Sequence, residues 1–117
     1  MIALAEVRQR MDRDSESAIL HLFEFVDEFR RVRDVSALEQ PFVRGNERWD
    51  ALTAATAESL CKEIGEEAPP WLADIPACRQ PWFVSGLESL KAIALVESPL
   101  PFRLRQIFVL ENFLSRA

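Results

Sequence analysis

Four prolines, Pro69, Pro70, Pro76 and Pro81, crowd the stretch from 69 to 81 of this chain. Proline has no amide donor and its ring clashes with the preceding helical turn, so no helix crosses that stretch. The chain is thereby split into a long segment ahead of the prolines and a short one behind them. The same stretch carries Trp71, Leu72 and Ile75, more apolar surface than a solvated linker leaves in water. It is expected to be an ordered crossover laid over the helices on either side.

Ahead of the prolines the apolar residues follow the helical period. Ile19, Leu22, Phe23, Val26 and Phe29 recur at three- and four-residue steps, which predicts a helix from Ser15 to about Arg33. Leu20, Phe25 and Val32 widen its apolar face, enough for neighbours within the chain or across a homodimer. Asp14 or Ser15 can cap its start by accepting an orphan amide. Leu4, Val7 and Met11 share a face of a further helical stretch over 2–12. A short turn over 36–40 should stop at Pro41, because a residue before proline avoids helical angles. A second helix is expected from the cap Asn46 to Ile64, with Trp49, Leu52, Thr56, Leu60 and Ile64 as its buried stripe. Ala51, Ala54, Ala55 and Ala57 let a partner helix come close, and Gly65 supplies the left-handed stop.

Behind the prolines, Ser85-Gly86-Leu87-Glu88 matches a capping box, in which the Ser oxygen takes one amide and the Glu reaches back to another. It predicts a third helix from Ser85 to about Glu97, with Leu87, Leu90, Ile93 and Ala94 on one face. Ser98 then caps a short helix opened by Pro99 and running to about Arg105. The run Ile107 to Leu110 is β-prone but too short to found a sheet. A last turn holds Phe113 and Leu114. The fold expected is all-α: a compact bundle of three longer helices plus short ones, one helical domain over 1–117. The Pro-rich crossover and Ile107–Val109 should pack on its outside.

Charge and composition narrow the function. The chain holds 14 basic and 19 acidic residues, a net charge of −5, the wrong sign for a general nucleic-acid binder. DNA is therefore an unexpected partner. Three glycines make a Gly-rich phosphate loop improbable, and a single His excludes a multi-His metal site within one chain. The longest uncharged apolar run near the C-terminus is Ala92–Val96, far short of the roughly 20 residues of a membrane span. The N-terminal apolar stretch is broken by Glu6 and Arg8. We therefore expect a cytoplasmic protein, with Cys61 and Cys78 as free thiols.

No set of side chains reads as a catalytic centre, and no cofactor is indicated. His21 lies at helical spacing from Glu24 and Glu28, yet lacks further ligands. None of the serines has a base beside it to activate it. Glu24, Asp27 and Glu28 form the densest acidic cluster. Paired carboxylates on facing helices can hold Mg²⁺ against a phosphate, as in the all-helical nucleotide pyrophosphohydrolases, whose acidic spacing is not reproduced here. A small metal-dependent hydrolase acting on a phosphorylated compound is accordingly the alternative reading, with a homodimer through the 15–33 helix as a third.

Arg103, Arg105 and Arg116, interleaved with Phe102 and Phe108, form the basic group of the C-terminal third. They either meet an anionic partner or pair with the chain's own acidic helices. Pro81-Trp82-Phe83 is denser in aromatics than a core segment needs, which marks Trp82, Phe83, Arg103 and Arg105 as candidate partner-binding residues.

The stretch from Gln80-Pro81-Trp82-Phe83-Val84-Ser85-Gly86 through Ser98-Pro99-Leu100-Pro101-Phe102-Arg103, with the ending Arg105-Gln106-Ile107-Phe108-Val109-Leu110, resembles an uncharacterised family of small bacterial proteins. It is also similar to the tail of antitoxin-type regulators that pair with nucleotidyltransferase-like toxins. No helix-turn-helix precedes it here, so the resemblance implies a complex-forming, antitoxin-like role without DNA reading. The leading expectation is a non-enzymatic protein-interaction module that binds another protein or a copy of itself.

Overall fold

Residues 1–116 of the backbone, and the side chains of residues 1–115, are described by a computed structural model. The long segment folds as expected into helices: α1 over Leu4–Arg13, α2 over Ala18–Val32 and α3 over Glu47–Glu63. α1 buries Leu4, Val7 and Met11, and α2 buries Ala18, Leu22, Phe25, Val26 and Phe29. α2 begins later than expected, because Asp14 to Ser17 makes a tight 3₁₀ turn and neither Asp14 nor Ser15 caps the helix. The Asp14 carboxylate lies 3.0 Å from Nε2 of His21 instead. Arg33, at φ 57°, closes α2.

α3 is the central element. Every residue from Asp50 to Ala57 is buried, so neighbours press on it from all sides, and the small alanines let them approach. Its buried hydroxyls find partners close by: Thr56 donates to the Leu52 carbonyl at 2.8 Å, and Thr53 lies 3.4 Å from the Met11 sulfur. Asn46 caps its start by accepting the Trp49 amide at 3.0 Å. Gly65, at φ 72°, takes the left-handed stop, and the Glu66 amide returns to the Cys61 carbonyl.

A fully buried arginine ties α1 to α3. Arg8 donates from Nε to Asp50 Oδ1 at 2.8 Å and pairs with Asp12 at 2.6 Å, one turn along its own helix. The other Asp50 oxygen accepts the Gly45 amide at 3.0 Å. Nothing in the apolar pattern marked Arg8 as an interior residue, since its neighbours Glu6, Gln9 and Arg10 read as a solvated face.

The Pro-rich stretch contains a 3₁₀ turn over Pro70–Asp74. Trp71 donates its indole N–H to the Leu38 carbonyl at 2.8 Å, and its ring meets Phe42 edge-on. Leu72, Ile75 and Cys78 point into the core.

The third long helix does not form. Gly86 adopts φ 68° and Leu87 is extended, geometries that no helical first turn accepts. The capping box is absent as a result: Ser85 accepts only the Leu87 amide at 3.3 Å, and Glu88 pairs with Lys91. A 3₁₀ turn over Glu88–Leu90 leads into the short α4, Lys91–Glu97, followed by α5, Leu100–Arg103. Ser98 does not cap α5 either. Its buried hydroxyl accepts the Val109 amide at 2.8 Å and reaches the Ala94 carbonyl at 2.5 Å.

A second correction concerns strands. Trp82–Phe83 (β1) and Ile107–Phe108 (β2) pair in parallel, Trp82 opposite Ile107 and Phe83 opposite Phe108. The β-prone run thus finds its partner from the far side of α4 and α5. It is not outside the bundle: Ile107 is fully buried and Val109 nearly so. The chain is mostly helical, with this two-residue ladder as the exception to an all-α fold.

Candidate interaction surface

The segment between the two strands carries α4 and α5 and returns to the strand pair, and it is closely held where it starts and ends. The Cys78 amide donates to the Arg105 carbonyl at 3.0 Å, the Trp82 amide to Gln106 at 2.8 Å, and the Val84 amide to Phe108 at 3.2 Å. Gln106, at φ 58°, turns the chain into β2, and its side chain donates to the Cys78 carbonyl at 2.8 Å. Ser98 fastens the end of α4 to Val109. Phe102, fully buried, anchors α5 against the core.

Arg105 fastens the segment where it ends. Its guanidinium pairs with Glu58 of α3 and donates to the Leu72 carbonyl at 2.7 Å and the Ile75 carbonyl at 3.3 Å. Every arm of the planar fork is occupied, which a buried arginine requires. This removes Arg105 from the candidate partner-binding set: it is an internal clasp to an acidic helix. Arg103 is exposed, and the side chain of Arg116 lies outside the described residues. The three arginines therefore do not make one basic surface.

Trp82 and Phe83 are half-buried. Trp82 meets Trp49 edge-on at 5.7 Å between centroids, with the Arg48 guanidinium 5.3 Å from its ring. Phe83 stacks on Phe108 at 5.1 Å, and the Lys91 ammonium sits 5.3 Å from its ring. Both aromatics serve chiefly to pack the strand pair, with an outer edge left over.

The α4–α5 segment itself is apolar and turned to water. Among the described residues ten large hydrophobic side chains are exposed, and six belong to this one segment: Leu87, Ile93, Leu95, Val96, Leu100 and Leu104. Val96 is 78% exposed and Leu104 68%. Within α4 only Ala94 is buried. A helix built from Ala92-Ile93-Ala94-Leu95-Val96 has no polar face, so whatever side it lays on the protein, the rest stays outside. A largely apolar slot of about 140 Å³ opens beside it, lined by Val84, Ala94, Phe108, Leu110 and Phe113 among others.

The acidic cluster behaves differently. Glu24 and Asp27 are exposed on α2 and Glu28 partly so. The carboxylates of α3 that could have faced them are engaged elsewhere: Glu63 takes Arg30 in a bidentate pair at 2.9 and 3.0 Å, and Glu58 takes Arg105. Among the described residues no group of three or more His, Cys, Asp or Glu side chains converges in a way that could hold a metal ion. His21 faces Asp14. A cleft of about 400 Å³ near the C-terminal end of α3 is lined by Arg30, Ser59 and Lys62 among others. Its Ser59 hydroxyl has no hydrogen-bond partner among the described residues, but no imidazole or thiol stands by to activate it.

The apolar face of α2, considered above for a homodimer, is consumed inside the protein. Leu22, Phe25, Val26 and Phe29 are in the core and Phe23 packs on Phe113. Leu20 and Val32 remain outside, about 18 Å apart along the helix axis, too far for one patch. Among the described residues no helix is long and apolar enough to cross a membrane.

Compared with known proteins, the chain matches no family model, no curated protein and no solved structure.

Proposed function

We propose that this chain is a non-enzymatic protein-interaction module, and that it binds through the α4–α5 segment. One observation carries the reading: exposed large hydrophobics concentrate on a single segment that is held at its ends by Arg105 and the strand pair and at its middle by Ser98. Exposed apolar surface gathered in one place is costly in water and marks a contact face. A segment fixed at both ends loses little conformational freedom on binding, so more of the burial free energy appears as affinity. The antitoxin-like role implied by the C-terminal resemblance belongs to this reading. In it, a toxin-type partner with a basic surface would be drawn to the exposed acids of α2, Glu24 and Asp27. The free, buried thiols Cys61 and Cys78 support a reducing, cytoplasmic setting.

The test is co-purification. Tagged wild-type protein expressed in its native host should bring down a protein in stoichiometric amount, an untagged copy of itself included. The variant Val96→Glu/Leu104→Glu, changed only at exposed positions, should lose it. Recovery of the tagged chain alone would count against the reading, and so would equal recovery with the variant.

A further inference from the structure

We infer that the cleft beside the C-terminal end of α3 binds a small carboxylic acid with an apolar tail, a ligand site independent of the interaction-module reading. The cleft, of about 400 Å³, lies within the roughly 300–1,000 Å³ that small-molecule sites occupy. Its apolar walls come from two segments: Pro99 and Pro101 where α5 begins, and Leu110, Phe113 and Leu114 beyond β2. Both walls are fixed in advance. Arg30 of α2 donates to the Leu114 carbonyl at 2.7 Å. The Phe113 ring meets Phe23 and Phe102 edge-on, at 5.2 and 6.1 Å between centroids, and Phe102 is fully buried. A tail entering the cleft therefore meets apolar surface that is already assembled, which spares it the cost of ordering one.

Two polar groups on the lining are uncommitted, and both belong to α3. The Ser59 hydroxyl oxygen is buried without a hydrogen-bond partner among the described residues. It does not return to a carbonyl of its own helix as Thr56 does, although a buried hydroxyl left unpaired is costly. Lys62, three positions on, lies one turn away on the same helix face. Its ammonium makes no ion pair among the described residues. An ammonium only donates and a hydroxyl can donate, so the pair asks for acceptors. A carboxylate supplies two oxygens, one for each. The surrounding charge limits the ligand to a single negative charge. Arg30 is engaged at all three nitrogens, by Glu63 at 2.9 and 3.0 Å and by the Leu114 carbonyl, which leaves Lys62 as the one free cation among the described lining residues. Glu63 is thereby matched. Glu111, the other acid of the lining, is exposed, where water and salt screen it. A doubly charged phosphate would find one cation and one repelling carboxylate, whereas a monoanion is balanced by Lys62.

Titration of the isotope-labelled full chain with octanoate and with phenylbutanoate, followed by NMR, tests this, with octanol as the uncharged control. We expect saturable shifts centred on the amides of residues 59–63 and 110–114 at millimolar acid. The tighter of the two acids identifies the tail as aliphatic or aromatic. Octanol should bind several-fold more weakly than octanoate, because the charge-assisted bonds are lost. Ser59→Ala should weaken binding of the acids about tenfold and leave the urea midpoint unchanged or raised, since it deletes a group with no partner in the free protein. A hydroxyl with a purely structural role would show the reverse. Lys62→Gln should weaken binding several-fold and remove its salt dependence. The absence of saturable shifts with either acid would overturn the inference. So would shifts centred on the exposed Leu95 and Val96, octanol bound as tightly as octanoate, or full affinity in Ser59→Ala. None of these results bears on the recovery of a protein partner, so the site and the module reading fail separately.

Discussion

Asp50→Ala is the perturbation whose cost follows most directly from the structure. Arg8 is fully buried and its main partner, Asp50, is nearly so. Removing that carboxylate takes away the 2.8 Å contacts to Arg8 and the 3.0 Å bond from the Gly45 amide. Asp12 stays at 2.6 Å and holds part of the charge. Breaking a buried pair from one side costs about 3–5 kcal/mol, because a charge is left without its partner in a poorly polarisable interior. The remaining Asp12 contact favours the lower figure, and the orphaned amide adds about 1 kcal/mol. We expect a loss of about 3–4 kcal/mol, or a fall in Tm of about 12–20 °C for a domain of this size. Asp12→Ala, at a half-exposed carboxylate, should cost under about 1 kcal/mol. The double variant Arg8→Met/Asp50→Leu should regain most of the loss, since no uncompensated charge remains. Urea unfolding followed by circular dichroism reads all three. The reasoning fails if Asp50→Ala loses less than about 1 kcal/mol, or if the double variant is no more stable than Asp50→Ala.

Three further outcomes are expected. Burial raises the pKa of both thiols, with Glu58 and Glu66 adding to the effect on Cys61 and Glu47 to that on Cys78. A raised thiol pKa favours the folded state below the unfolded pKa and ceases to do so above it. Stability should therefore hold up to about pH 8.5 and fall at higher pH, with the slope reduced in Cys61→Ala; a slope unchanged by that substitution would contradict the cause. Gly65→Ala should cost about 1 kcal/mol, because the left-handed turn strains a Cβ although nothing lies within 4 Å of it; unchanged denaturant midpoints would count against that. Ser98→Ala removes the hydroxyl joining α4 to Val109 and leaves a buried amide unpaired, at about 1–3 kcal/mol. Hydrogen exchange should accelerate over 91–109 more than in α3, and uniform acceleration would contradict the role of Ser98 as a local fastener.

Much of the helical half was legible from residue spacing. The periodic stripe of α2, the Asn46 cap and the Gly65 stop are local signals, and the structure keeps all three. The half behind the prolines was misread where two local signals competed. Ser85 and Glu88 have the spacing of a capping box, but Gly86 turned left-handed instead, because β1 ends at Phe83 and the chain must reverse there. Trp82 and Phe83 were singled out for their density, and most of it serves the strand pair. The run Ala92–Val96 was visible as an apolar pentapeptide. Its meaning as an exposed face was not, since exposure depends on what lies opposite.

The sequence by itself determined where helices start and stop ahead of the prolines, and that no helix passes through them. Those outcomes depend on backbone angles and on neighbours three or four positions away. Only the tertiary structure decided that Arg8 goes inside, that Arg105 is a clasp on Glu58, that Ile107 pairs with Trp82 and that Val96 stays in water. Each of these depends on a partner 25 or more residues distant, or on the lack of one. No local pattern encodes such a choice, because burial is a property of the assembled core and not of the segment.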